Sequence, residues 1–63
     1  VAVEAVWQNP APAGGYETRP LGRAEFPDTP AGGQAALRWA DALFEQHAAT
    51  RPDGWVPAIR TDA

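Results

Sequence analysis

Nothing in this chain can staple it together through sulfur, because its 63 residues contain no cysteine, and a single histidine is too few for a histidine metal cluster. A chain of this length stands near the lower limit at which one apolar core offsets conformational entropy without disulfides or metal. One core is therefore the most it can build, and residues 1–63 read as a single small domain. The material for that core includes Val1, Val3, Val6, Leu21, Phe26, Leu37, Leu43, Phe44, Val56, Ile59 and three tryptophans, Trp7, Trp39 and Trp55. Each large aromatic buries roughly 150–250 Å², so the tryptophans are expected to carry a disproportionate share of the stability.

Hydrophobic periodicity divides the chain. Val1 to Trp7 alternate with a period of two, which places Val1, Val3, Ala5 and Trp7 on one face of a strand and Ala2, Glu4 and Val6 on the other. Residues 8–15, rich in proline and glycine, are expected to form a flexible loop. Tyr16 to Arg19 suits a second strand, with Pro20 to Arg23 as a turn into Ala24 to Phe26. The alternative is one bent edge strand from Tyr16 to Phe26 with Pro20 facing solvent.

Pro27-Asp28-Thr29-Pro30 has the form of a helix entrance, with Thr29 as N-cap and Pro30 at the first helical position, where no N–H is required. A helical pattern then runs to about Ala49, with Gly33, Ala36, Leu37, Ala40, Leu43, Phe44, His47 and Ala48 on one arc and Gln34, Arg38, Asp41 and Glu45 opposite. Gly32 and Gly33 weaken the first turn by about 1 kcal/mol each relative to alanine. That turn is expected to be frayed or pressed against another backbone. Pro52-Asp53-Gly54 reverses the chain, and Trp55 to Arg60 reads as a last strand, kept at an edge by Pro57, before a loose tail at 61–63. The expected fold is α+β: a small antiparallel sheet of two to four short strands with one long amphipathic helix on one face, in the order β-β-(β)-α-β. One helix covers one sheet face only, which leaves Ala2, Val6 and one or more aromatics on the open side.

Charge narrows the function. Eight carboxylates against five basic residues, all arginine, give a formal charge of −3, a field that repels a phosphate backbone. There is no signal-peptide pattern and no apolar run long enough to span a bilayer, so the expectation is a soluble, cytoplasmic protein without membrane partners. Serine is absent, His47 lies on the flank of the helix stripe, and the acidic residues match neither a calcium loop nor a catalytic carboxylate pair. Gly32-Gly33 lacks the lysine and hydroxyl neighbours of a phosphate loop. The chain is accordingly expected to have no catalytic residues, no metal and no cofactor.

Arg19 and Arg23 bracket Pro20-Leu21-Gly22, and together with Phe26, Thr29, Ala36 and Trp39 this stretch loosely resembles the three-strand-plus-helix arm-type DNA-binding domains of phage integrases. That resemblance implies sheet-mediated nucleic-acid contact by Arg19, Arg23 and Arg60. Such domains are generally basic, a requirement this chain does not meet. The run Leu43 to Asp53 is similar to the opening helix of adenylate-forming synthetase domains, where it only introduces a much larger catalytic unit and implies no activity by itself.

The favoured expectation is a non-enzymatic interaction or assembly module: an accessory subunit, a phage or mobile-element product, or a docking inhibitor, acting through a protein partner or as a homo-oligomer. Trp7, Tyr16, Trp39 and Trp55 are the candidate contacts, since exposed Trp and Tyr are typical interface anchors.

Overall fold

The computed structural model describes residues 1–10 and 17–62. Its elements are β1 (Ala2–Asn9), β2 (Glu17–Glu25), α1 (Pro30–Gln46), a 3₁₀ turn at Ala48–Thr50, and β3 (Val56–Asp62). The three strands form one antiparallel sheet in the order β2-β1-β3, so the first strand is central and the other two are edges. The expected α+β architecture, with its helix packed on one sheet face, is the one observed.

β1 takes the middle because its apolar content is the densest of the three strands. Val3, Ala5, Val6 and Trp7 are all buried, and a strand flanked on both sides satisfies its main chain completely. It runs on through Gln8 and Asn9, which belong to the sheet and not to the loop expected at residues 8–15. Gln8 lies opposite both Thr18 and Val56, and Asn9 opposite Glu17. Residues 11–16 of that segment, Tyr16 included, lie outside the described residues.

The single bent edge strand is the alternative realised in β2. A register shift between Ala5 and Val6 leaves Leu21 as the extra residue between Gly22, opposite Ala5, and Pro20, opposite Val6. A bulge of this kind absorbs the proline without ending the strand. Pro20 is exposed. At the other edge, Thr61 and Asp62 pair with Val3 and Ala2, so β3 extends two residues into the segment expected to be a tail. The full length of β1 offers them ladder partners.

The helix begins as its sequence specifies. Thr29 is the N-cap, its hydroxyl oxygen accepting from the Gly32 N–H at 3.0 Å, and Pro30 opens the first turn. The two glycines have different reasons to be there. A methyl group on Gly32 would run into the Pro27 carbonyl oxygen, whereas one on Gly33 would meet open space. The first turn is thus pressed against the incoming backbone at one glycine only.

α1 ends at Gln46, short of Ala49, and the chain tightens into the 3₁₀ turn, where the Thr50 N–H donates to the His47 carbonyl at 2.9 Å. Gly54, at φ +80°, reverses the chain, with the Trp55 N–H donating to the Pro52 carbonyl at 3.1 Å. That is the reversal expected from Pro52-Asp53-Gly54.

The buried stripe of α1 is Gly32, Ala36 and Ala40, spaced four apart. Three small residues in line let the helix axis approach the sheet closely, and the larger side chains then flank the seam. On the β2 side, Trp39 meets Phe26 in a tilted contact with ring centroids 5.6 Å apart, and Leu43 closes over Gly22. Over β1, Phe44 meets Trp7 at 5.4 Å. This orientation brings Trp39 inward and turns Leu37, assigned by periodicity to the core arc, outward at 55% exposure.

The open sheet face also departs from expectation. Val6, which alternation places there, is fully buried. It stands in the central strand with Pro20 and Ala58 directly beside it and Glu4 and Gln8 two residues away along the strand. A short apolar side chain in such a position is hidden by its neighbours without a second layer.

Candidate docking surface on the α1–β3 side

The helix lies across β1 and β2 and leaves β3 largely uncovered. The consequence is a trough between the first half of α1 and the helix-facing side of β3, about 260 Å³ in volume, whose floor and walls include Val3, Ala36, Phe26 and Thr61. Val1, Leu37 and Ile59 line it and are 39%, 55% and 36% exposed. Only one other large apolar side chain among the described residues is as exposed, Val56. Isolated exposed apolar residues are ordinary, but three converging on one concavity form a patch of the kind that marks contact sites.

The free edge of β3 borders the same trough. The Phe26 N–H donates to the Val1 carbonyl at 2.9 Å, which makes Val1 and Phe26 a hydrogen-bonded pair and directs the odd-numbered main-chain groups of β1 toward β2. Antiparallel alternation then directs the even-numbered groups of β1 toward the even-numbered residues of β3. Pro57, Ile59 and Thr61 therefore turn their main-chain groups away from the sheet. The missing N–H of Pro57 falls on this outward side, as the sequence requires of a proline in an edge strand.

The residues singled out in the sequence are dispersed. Trp7 is 3% exposed, covered by Phe44 and by the Arg51 guanidinium at 5.8 Å from its ring. Its indole N–H is buried with no hydrogen-bond partner among the described residues, an arrangement that costs on the order of 1–3 kcal/mol. Trp39 is half-buried against Phe26, Trp55 is half-buried beneath the Arg19 guanidinium at 5.3 Å, and Tyr16 lies outside the described residues. Arg23 and Arg60 occupy one row of the sheet with Glu4 between them, and Arg19 is drawn to Trp55. A carboxylate thus sits at the centre of the basic residues that a nucleic-acid reading would use.

His47 caps the C-terminal end of α1, half-buried. Among the described residues no group of three or more histidine and carboxylate side chains converges as a metal site. No helix among the described residues is long and apolar enough to cross a membrane. Leu37 and Ile59, which now define the concavity, were legible only as core candidates. The signal that separates them is the small-residue line Gly32-Ala36-Ala40, which fixes the side of the helix that approaches the sheet.

No protein-family model, no curated protein and no solved structure matches the chain.

Proposed function

We propose that this protein is a non-enzymatic interaction module that docks on another polypeptide through the trough between α1 and β3. One observation carries the reading: Val1, Leu37 and Ile59 stand exposed around a single concavity beside an unpaired strand edge. Apolar side chains held in water forgo roughly 25 cal/mol for each Å² they could bury. An adjacent free edge supplies directional hydrogen bonds to the same occupant, the combination used when a strand is added to a sheet.

The test is a binding comparison in which Leu37→Asp is set beside Gln34→Asp, a change of similar size on the exposed side of the same helix. Leu37 contributes little to the monomer core, so circular dichroism should be unchanged in both variants. A polypeptide partner retained by the unaltered chain should be lost with Leu37→Asp and kept with Gln34→Asp. Equal retention by both variants would rule the trough out as the docking surface.

A further inference from the structure

We infer that the occupant of the β3 edge is a second copy of this chain, joined antiparallel about Ile59 to give a continuous six-stranded sheet in the order β2-β1-β3-β3-β1-β2. The inference rests on the docking reading above and adds the identity and register of the partner.

The two free edges of the sheet are not equivalent. The edge at β2 is interrupted near its middle by the extra residue Leu21 and by Pro20, and its exposed side chains include Glu17, Arg19, Arg23 and Glu25. Bulges, prolines and charges are the devices that prevent edge pairing. The edge at β3 carries Pro57 near its start and the exposed Arg60, but it has no bulge and leaves Ile59 and Thr61 with both main-chain groups free. It is the edge that accepts a strand.

Hydrogen-bond arithmetic then selects the register. Centred on Ile59, two copies exchange two bonds between the Ile59 residues, and each Thr61 N–H donates to the Pro57 carbonyl opposite. Four bonds form, and Arg60 lies across from Ala58. Centred on Arg60, four bonds also form, between Ile59 and Thr61, but the two Arg60 residues stand directly opposite each other, which is destabilising. Centred on Ala58, each Pro57 faces Ile59 and each Thr61 falls opposite Trp55, outside β3, so only two bonds form within the strand. The Ile59-centred arrangement alone combines four bonds with no like-charge pair.

The same arrangement sets the two helices on one face of the joined sheet and opens each trough toward the other across the Ile59 pair. Four main-chain hydrogen bonds along one strand edge, with the side chains around Ile59, make a small contact of the size associated with weak and reversible complexes. Self-association is therefore expected in the micromolar range and not at nanomolar concentrations.

Sedimentation equilibrium from about 10 µM to about 1 mM, a span suited to an interface of this size, should show the mass rising from 6.7 kDa toward twice that value. Synthetic chain N-methylated at Ile59, which removes one outward donor and leaves the β1 ladder intact, should remain monomeric. Register is read by oxidising Ala58→Cys and Arg60→Cys chains. The mixture should cross-link, while each alone should not. A constant monomer mass would overturn the inference and leave docking on a different polypeptide standing. A dimer indifferent to N-methylation, or cross-linking of Arg60→Cys chains by themselves, would overturn it as well. The trough itself is judged separately, by Leu37→Asp.

Discussion

Gly32 and Gly33 are neighbours in sequence with opposite structural meanings, and the difference lies in what a single methyl group would touch. At Gly32 it would strike the Pro27 carbonyl oxygen, a main-chain atom that cannot move aside without displacing the helix entrance. At Gly33 it would meet nothing within 4 Å. Gly32→Ala should therefore destabilise the fold by about 2 kcal/mol or more through overpacking. Gly33→Ala should stabilise it by about 0.5–1 kcal/mol, because alanine loses less conformational entropy on entering a helix. Urea denaturation of the two variants measures both shifts, and shifts of the same sign would contradict the close approach at Pro27. Trp7 carries a tension of another kind. It anchors the core beneath Phe44 and Arg51, yet its N–H has no partner among the described residues. The ring area it buries outweighs that loss.

At the scale of elements, the two edge prolines act on different strands but by one mechanism. Each places its missing donor on the side facing away from the sheet, Pro20 on β2 and Pro57 on β3. Restoring the donor at position 57 should complete the hydrogen-bond pairs flanking Ile59. Pro57→Val is expected to tighten self-association about ten-fold, since two more bonds form per dimer, each worth about 0.5–1.5 kcal/mol net. Unchanged or weakened association in sedimentation equilibrium would contradict the register.

Much of this level could be read in advance. The alternation of Val1 to Trp7, the Thr29-Pro30 entrance and the Pro52-Asp53-Gly54 reversal each follow from local chemistry, and each is found. The ends of β1 and β3 could not be read, because Gln8, Asn9, Thr61 and Asp62 have no strand character of their own and pair only because a neighbouring strand is present. The rotation of α1 was hidden for a related reason. Periodicity weighs hydrophobicity, whereas the approach of a helix to a sheet is decided by size, and Gly32, Ala36 and Ala40 are the smallest residues on that side. Periodicity therefore places Leu37 in the interior and does not reveal the trough it helps to form.

For the whole molecule, smallness is the governing fact. The buried apolar side chains among the described residues are Val3, Ala5, Val6, Trp7, Ala36 and Ala40, and half of them are alanine. A core this thin gives marginal stability, and apolar surface that one copy cannot enclose is available to another polypeptide. The net charge of −3 is small enough that two copies approach against little repulsion at physiological ionic strength. In the proposed reading, fold and docking are parts of one balance, association completing the burial that the helix does not provide over β3. The most direct measurement is amide hydrogen exchange at Ile59 as a function of protein concentration, with Ala58, whose N–H faces β1, as the internal reference. The account predicts that Ala58 is protected throughout, while Ile59 exchanges rapidly in dilute solution and becomes protected as the chain is concentrated. Rapid exchange at Ile59 at every concentration would contradict it.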